Sequence, residues 1–436
     1  MGIKVAKFGG TSLADASAFK QVREIINADR QRKYVIASAP GKRFPTDTKV
    51  TDMLYECYDL AKSGKSTDAA FDVIKNRFAN IISGLGIDFD IDAEMEIIKK
   101  EALASLKTDY FASRGEFLNA KIMAKYLGFP FIDAKDVVFF KEDGHLDEEK
   151  TYAVFAQVVG AHEYAVIPGF YGSDVDGTIK TFSRGGSDIS GAIAARALMA
   201  ELYENFTDVS GMMTADPRIV SSPKIIDTIS YTELRELTYM GATVLHDEAV
   251  IPVRRAGIPI NIKNTMKPEE PGTMIVSNAP ASDRPITGVA GRCGFSAINI
   301  EKDLMNSELG FGRRVLNILE DNGISFEHCP TGIDTMSVFV ATKDIKDCKD
   351  KIILDIKKNA SPDIITIEDG IALIAVVGRG MANRTNIAAR LFTAIGYNNI
   401  PIKMIDQGSC GTNIIIGVSE DDYQKTLEVI YNEFIG

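Results

Sequence analysis

The sequence has no tryptophan, only five cysteines and four histidines, and no apolar run near the ~20 residues that a membrane span requires. No two cysteines form a CxxC pair, so neither a disulfide framework nor a zinc site is predicted. The histidines do not cluster either, and the N-terminus lacks the apolar core of a signal peptide. We therefore expect a cytoplasmic protein with reduced thiols and no membrane association.

Basic residues are fewer than acidic residues: the chain has 49 Lys and Arg and 60 Asp and Glu, which gives a formal net charge of −11. Nucleic-acid partners are disfavoured, because their phosphates need a basic surface. A small anionic substrate needs only a local positive pocket and is not excluded. The 436 residues are too many for one core, so two or three domains are expected.

The first part of the chain alternates strand-like and helix-like patterns. "IKVAKFG", "KYVIASAP" and "EYAVIPGFYG" predict strands, while Ala14–Asn27 and "SDISGAIAARALMAELY" predict helices. This alternation favours an α/β fold with a mainly parallel sheet covered on both faces. The proline- and glycine-rich segment Lys263–Pro285 predicts a domain boundary.

An internal repeat follows the boundary, because the sequence matches itself at a shift of 76 positions, "FSAINIEKDLM" against "IALIAVVGRGM". Each copy reads strand, helix, strand, strand, helix. Arg284–Gly291 could supply the edge strand that the second copy lacks. The predicted domains are 1–280, 295–370, and 284–294 together with 371–436. The alternative is two independent α/β units with a chance similarity.

The stretch "KFGGTS" predicts an anion-binding corner between a strand and a helix. Gly9 and Gly10 let the backbone approach an anion, Lys7 supplies charge, and a helix opening at Thr11 and Ser12 would add its positive dipole end. The pattern is neither a P-loop nor a dinucleotide fingerprint. The alternative is a turn whose glycines serve close packing alone.

A second pair of glycines precedes a helix in "SRGGSD". Arg184 can form a bidentate pair with a carboxylate or phosphate. Asp188 lies in the first helical turn, where the alternative is a simple N-terminal cap. Two anion cradles in one domain are the arrangement that phosphoryl transfer requires.

Two further stretches carry polar groups at suitable places. In "FTDVSGMMTADPR", Thr207 and Asp208 end a strand and Arg218 could reach nucleotide phosphates. In "SRGEFLNAK", Glu116 follows a glycine near a predicted helix start and could pair with a substrate ammonium. A favourable helix-dipole charge is the alternative for Glu116.

Together these motifs resemble those of the aspartate kinases, amino-acid kinases with two C-terminal ACT domains. "KFGGTS", "SRGE", "SRGGSD", "TDVSG…TADPR" and "GATVLH" follow the order of that family, and the resemblance spans essentially the whole chain. It implies a three-layer αβα kinase domain followed by tandem ferredoxin-like α+β ACT domains. It also implies ATP-dependent phosphorylation of the β-carboxylate of L-aspartate to 4-phospho-L-aspartate, the feedback-regulated first step of the aspartate-family amino-acid pathway.

The resemblance also implies roles for individual residues, with ATP and Mg²⁺ as cofactors and no direct protein ligand assigned to the metal. Lys7, Arg184 and Asp188 would be catalytic, with Asp188 organising the site rather than acting as a base. ATP would be bound by Lys7, Gly9, Gly10, Ser12, Thr207, Asp208 and Arg218, and aspartate by Thr51, Glu116, Arg184 and Ser187.

Two positions depart from the family pattern. Met213 stands where a tyrosine is frequent, and Thr243 stands where a lysine near the nucleotide phosphates is frequent. One nucleotide contact is therefore missing or comes from elsewhere, with Lys263 as a candidate.

The two repeats differ in charge at matching positions. Glu308 and Glu327 of the first copy align with Arg384 and Lys403 of the second. The first copy alone could therefore accept a ligand with an extra ammonium group. The resemblance places the effector at a helix start and a following strand, which predicts Met305, Glu308, Phe311, Gly312, Ser325, Phe326 and Glu327 as its contacts.

Lysine is the predicted inhibitor and threonine the runner-up. The alternative is that both glutamates are solvated surface charges. Because an ACT unit leaves strands and helices that need cover, a homodimer or dimer of dimers is expected. The competing functions are a kinase for another amino acid and a non-catalytic amino-acid sensor.

Overall fold

The computed structural model describes residues 2–183, 185–242, 245, 247–280, 284–382, 384–408 and 411–436. The chain forms two compact units. The first comprises Met1–Met212, Ile225–Tyr231 and Val244–Ala279, and the second comprises Met213–Lys224, Thr232–Thr243 and Pro280–Gly436.

The first unit is built on a seven-stranded sheet of order β3-β2-β1-β6-β8-β9-β7. Only the β8–β9 pair is antiparallel in it, which confirms the predicted α/β class. The small hairpin β4–β5 stands apart. The strands of the unit are β1 Lys4–Phe8, β2 Arg32–Ala37, β3 Ala165–Pro168, β4 Tyr171–Ser173, β5 Ile179–Thr181, β6 Leu202–Thr207, β7 Thr228–Ser230, β8 Ile260–Asn264 and β9 Thr273–Val276.

Helices cover both faces of this sheet, and in the part of the chain that the structure describes no helix has the length and apolar character to cross a bilayer. They are α1 Ala16–Ala28, α2 Val50–Lys62, α3 Asp68–Leu85, α4 Ile91–Ser105, α5 Thr108–Leu127, α6 Glu148–Val158, α7 Gly186–Ala197 and α9 Ile251–Ala256. The helix α8 Tyr231–Tyr239 belongs to the second unit apart from its first residue.

Strand alternation decides which residues reach which layer. Ala6 and Phe8 of β1 point into the apolar core under α1–α5. Lys7, between them, faces the opposite layer, where α7 packs across β1, β2 and β6. The central strand thus turns one charged side chain toward the beginning of α7.

Two predicted helix boundaries are wrong. The helix expected to run from residue 187 to Tyr203 ends at Ala197, because Met199 takes a left-handed backbone conformation (φ 50°) and the chain then enters β6. The helix expected from Ala14 begins after Asp15, whose carboxylate accepts the N–H of Ala18 as a cap.

The second unit holds a six-stranded antiparallel sheet of order β11-β12-β10-β13-β15-β14. Its elements are β10 Gly288–Glu301, α10 Phe311–Asp321, β11 Phe326–His328, β12 Thr335–Ala341, α11 Thr342–Ile345, α12 Lys349–Ala360, β13 Ile364–Val377, α13 Ile387–Tyr397, β14 Met404–Asp406, β15 Asn413–Ser419 and α14 Tyr423–Phe434.

Strands β10 and β13 are long enough to serve both copies of the repeat. The first part of β10 pairs with Leu373–Val377, and the later part pairs with Thr335–Ala341 of β12. The register shifts between Arg292 and Phe295, where Gly294 has φ 93°. Two separate apolar cores lie on the two halves.

Two short segments from the first 280 residues are packed into this second unit. Ala215 and Val220, from the segment 213–224, belong to the core that contains Val289 and Met381. Glu233 of α8 accepts hydrogen bonds from Thr287 and Arg379. The packing therefore follows different borders from the predicted division at residue 280.

Candidate active site

The carboxyl ends of β1, β2 and β6 lie side by side at one edge of the first sheet. Phe8 is in register with Ala37 on one side and with Phe206 on the other. The N–H of Gly9 donates to the carbonyl of Phe206 at 3.0 Å. In parallel sheets this edge is where ligands bind, and the N-terminal motif begins there.

The glycine corner is closely packed against the loop that follows β2. The N–H of Gly41 donates to the carbonyl of Gly10 at 2.7 Å, and a Cβ on Gly10 would lie 3.1 Å from the carbonyl oxygen of Ala39. Close packing therefore explains Gly10. A Cβ on Gly9 would lie 3.5 Å from the ammonium nitrogen of Lys7, so that residue keeps space open beside the charge.

The α-helix expected to begin at Thr11 is instead a three-residue 3-10 turn, Thr11–Leu13. The first α-helix starts five residues later, and Asp15 caps it. The predicted contribution of a helix dipole at this corner is therefore wrong. Lys7 supplies positive charge to the glycine corner.

Lys7 is held in a compact polar cluster. Its Nζ lies 2.6 Å from Oδ1 of Asp188 and 3.3 Å from Oδ1 of Asn205, and the Asn205 amide donates to Asp188 at 2.9 Å. The Lys7 side chain is only 9% exposed. Asp188 thus binds the lysine rather than capping α7. Sequence reasoning missed Asn205, a buried amide next to Phe206 in the central strand β6.

The second glycine pair lies at the beginning of α7. Arg184 falls outside the described residues. Gly185 has φ 58°, and a Cβ on Gly169 would lie 2.8 Å from Oγ of Ser187. Because Gly169 also donates to the carbonyl of Ala37, Ser187 lies beside the carboxyl end of β2.

Glu116 lies in the middle of α5, so its predicted position near a helix start is wrong. The alternative that it interacts with a helix dipole is wrong for the same reason. Its side chain is buried, and one carboxylate oxygen, Oε2, has no hydrogen-bond partner. Burial raises the pKa of Glu116 to about 8, although the N–H groups of Glu116 and Ala39 and the charge of Arg114 oppose this. A buried carboxyl group with a free oxygen is suited to a cationic ligand.

Gly115 brings the beginning of α2 close to Glu116. A Cβ at this position would lie 2.7 Å from the Cβ of Ala39 and 3.4 Å from Val50. The absence of a side chain therefore lets α5 approach the loop after β2 and the first turn of α2, which carries the half-buried Thr51.

On the other side of β1, Thr207 ends β6, and its hydroxyl lies 3.2 Å from the exposed carboxylate of Asp208. Ser12 is 2% exposed, and its hydroxyl is 2.6 Å from that of Thr265. In this arrangement Ser12 braces the corner. Lys263 donates to the carbonyl of Glu270, and burial lowers its pKa.

Arg218 belongs to the second unit, where its side chain is 84% exposed and forms several hydrogen bonds with Asp216. Thr243, the other departure from the family pattern, falls outside the described residues. The roles predicted for the kinase residues from the motifs stay predictions.

No group of three or more His, Cys, Asp or Glu side chains is arranged to hold a metal ion in the described ranges. Asp188 is connected to the glycine corner through its ion pair with Lys7. A Mg²⁺ that is shared with phosphate oxygens needs only one or two carboxylates, so the donor set fits a phosphate-bound metal rather than a protein cage.

In the first repeat, Glu308 is paired with Lys302 at 2.6 Å and with Arg314. Hydrogen bonding to Lys302 and the charges of Lys302 and Arg314 lower the pKa of this carboxyl group. Glu308 is therefore a partner in local ion pairs on the surface of the unit, with its side chain 35% exposed, and its role in effector binding stays a prediction.

Glu327 accepts a hydrogen bond from the Tyr239 hydroxyl and lies 3.5 Å from Arg292. Ser325 and Phe326 beside it are exposed, whereas Met305 and Phe311 are buried and Gly312 is half-buried. A cavity of about 670 Å³ lies between α10 and the segment that leads into β11. It is lined by Arg313, Leu316, Asn317, Leu319, Glu320, Gly323, Ile324, Ser325 and Phe326.

Comparison with known proteins identifies a kinase part and an ACT part in the chain. The amino acid kinase family model matches residues 2–264, and an ACT domain model matches residues 374–434. Aspartokinase 3 of Bacillus subtilis is 37% identical over 99% of this chain and 98% of its own length.

Two solved structures cover the chain almost completely. Clostridium acetobutylicum aspartate kinase, described as an allosteric enzyme, is 52% identical with a TM-score of 0.95 over 99% of this chain and all of its own. Escherichia coli aspartokinase III in complex with aspartate and ADP is 25% identical with a TM-score of 0.77 over the full length of both chains. With its mainly parallel kinase sheet covered by helices on both faces and its duplicated α+β unit, the chain belongs to the amino acid kinase family, as an aspartate kinase with ACT domains.

Proposed function

We propose that the chain transfers the γ-phosphoryl group of ATP to the β-carboxylate of L-aspartate and forms 4-phospho-L-aspartate. The observation that carries this proposal is the Lys7–Asp188–Asn205 cluster beside the glycine corner. It places one oriented cation where the carboxyl ends of three strands meet.

The β-carboxylate of aspartate has a reference pKa of about 3.9, so it is already ionised at neutral pH and needs no general base. The obstacle is the repulsion between this anion and the triphosphate. Lys7 lowers that repulsion and stabilises the charge of the transferring group. Asp188 and Asn205 orient the ammonium, so Asp188 positions Lys7 and removes no proton.

Aspartate is held on the side of β2 and α5. The free oxygen of Glu116 binds the α-ammonium, and Thr51 and Ser187 bind polar groups of the substrate from the first turns of α2 and α7. Arg184 binds the α-carboxylate. The supporting observation is the buried, unpartnered oxygen of Glu116.

ATP lies on the side of β6. Gly9 and Gly10 accommodate its phosphates with Lys7, and Thr207 and Asp208 line the nucleotide side, with Ser12 as a further predicted contact. Bound Mg²⁺ supplies charge neutralisation on the phosphate oxygens, and Asp188 is the carboxylate suited to orient it.

A coupled assay of ADP release tests this function directly. We expect release to depend on L-aspartate and not on glutamate or acetylglutamate. Release with another acceptor alone would favour a different amino-acid kinase. Aspartate binding without turnover would favour a non-catalytic sensor.

We also propose that lysine is the feedback inhibitor and that it binds near Glu327 in the first repeat. The relative from C. acetobutylicum is an allosteric enzyme. The lysine side-chain ammonium would replace the Tyr239 hydroxyl as the partner of Glu327. An inhibition titration distinguishes the effectors, because inhibition by threonine alone would contradict this assignment.

A cytoplasmic homodimer or dimer of dimers, joined through the ACT units, is the proposed assembly. The edge strand β11, whose Phe326 is 48% exposed, supports pairing between copies.

A further inference from the structure

Arg77 on α3 is a buried arginine that none of the recognised motifs includes. The residue is 4% exposed and lies on a helix whose other inward residues, such as Ile74 and Phe78, are apolar. A guanidinium in such surroundings is unfavourable unless its N–H groups are bonded. Its partners therefore indicate why it is there.

The guanidinium joins three separate points of the chain. Nη1 donates to Oδ2 of Asp47 at 2.7 Å. Nη2 donates to the carbonyl of Gly41 at 2.7 Å and to that of Ala14 at 3.2 Å. Ala14 directly follows the 3-10 turn of the glycine corner, whereas the other two belong to residues 38–49, which we name the β2–α2 loop.

Asp47 organises the β2–α2 loop around this contact. It accepts hydrogen bonds from the backbone N–H of Arg43 at 2.9 Å and from the Arg43 guanidinium at 2.8 Å. Hydrogen bonding to Arg43, with further bonds from Arg77, holds the pKa of Asp47 well below its usual range. The carboxylate is therefore charged at every pH at which the enzyme would be assayed.

The same loop contacts both halves of the proposed site. The N–H of Gly41 donates to the carbonyl of Gly10 in the phosphate corner, and that of Val50 donates to the carbonyl of Pro40. The backbone N–H of Ala39 donates a hydrogen bond to the Glu116 carboxylate. The loop then enters α2, where Thr51 lies in the first turn.

We propose that Arg77 is a positioning residue for phosphoryl transfer, which fixes the distance between the phosphate corner and the wall that holds the acceptor. The proposal rests on the site assignments of the proposed function. A lysine at position 77 keeps the charge but has no planar fork to bind Asp47 and two carbonyls together. Misplacement of reacting groups by ~1 Å reduces rates by about a hundredfold.

Arg32 provides a matched control in the same unit. It is half-buried, donates to Glu204 at 2.6 and 2.9 Å, and donates to the carbonyl of Ile25 at 2.7 Å. It begins β2 and so lies at the opposite end of that strand from the proposed site. Loss of either guanidinium group should lower the stability of the protein. Only that of Arg77 bonds to segments that belong to the proposed site.

The experiment compares Arg77→Lys, Arg32→Lys and the parent by thermal unfolding and by steady-state kinetics in both substrates. We expect both variants to melt at a lower temperature. Arg77→Lys should lose about a hundredfold in kcat/KM for aspartate, mostly in kcat, with KM for ATP changed less than threefold. Arg32→Lys should keep kcat/KM within about threefold of the parent.

Asp47→Asn serves if Arg77→Lys does not fold, because it keeps the size and one acceptor, and we expect a loss of about tenfold. The proposal is overturned if folded Arg77→Lys keeps kcat/KM within threefold, if Arg32→Lys loses as much, or if Asp47→Asn is unchanged. A parent that shows no aspartate-dependent ADP release refutes the proposed function instead, and that measurement comes first.

Discussion

Glu116 gives the sharpest prediction, because its burial makes aspartate binding depend on pH. Burial raises the pKa of this carboxyl group to about 8 in the unliganded enzyme. At pH 7 roughly one molecule in eleven therefore carries the ionised form. If that form binds the substrate ammonium, each binding event at pH 7 releases about 0.9 proton from Glu116.

The expected size follows from the ionised fraction. This fraction rises from about 1% at pH 6 to about half at pH 8, so the apparent Kd for aspartate should fall about 50-fold over that range. Glu116→Gln cannot ionise, and its Kd should be weak and nearly independent of pH.

Isothermal titration of aspartate in buffers of different ionisation enthalpy counts the protons released. The reasoning fails if the parent releases no proton at pH 7, or if Glu116→Gln shows the same pH dependence as the parent. Thermal unfolding gives an independent reading. Since the folded-state pKa is raised, stability from this group is fully present below about pH 4.5 and is lost as pH rises through about 8. Glu116→Gln should therefore melt above the parent at pH 9 and not at pH 5.

Three substitutions test the other proposed contacts. Lys7→Ala should lower kcat by about a hundredfold, roughly 3 kcal/mol in the barrier, without unfolding the protein; near-normal kcat at saturating substrates would contradict its role. Arg184→Lys should raise KM for aspartate, since lysine lacks the bidentate fork, and a rise in KM for ATP alone would show that this residue was misplaced. Glu327→Gln should weaken lysine inhibition by roughly tenfold to a hundredfold, or about 1.5–3 kcal/mol, with kcat unchanged; unaltered lysine sensitivity would remove Glu327 from the effector site.

The features that the sequence predicts well are those with local patterns. The alternation of strands and helices indicated the mainly parallel sheet. Glycines beside charged residues singled out Lys7 and Asp188, which the structure brings together in an ion pair. The repeat was visible because its two copies keep one spacing. Each of these signals lies within a short stretch of chain.

The features that the sequence does not reveal depend on distant partners. Asn205 and Arg77 bind residues far away in the chain, and neither belongs to a motif. The end of α7 was predicted too late, at Tyr203, because the helix-forming sequence continues past Met199. The left-handed backbone conformation at Met199 carries no signal in the sequence. Glu116 lies in mid-helix, where only the fold shows that its charge is buried.

The strands that run through both ACT-like halves also bear on how this region folds. Because β10 and β13 each contribute backbone hydrogen bonds to both halves, neither half has a complete sheet unless the other is formed. The duplicated region should therefore unfold in one cooperative transition rather than two. A chain cut at the repeat boundary would leave each half with an unpaired strand edge and a tendency to associate. The duplication has thus produced one thermodynamic unit from two copies of a sequence.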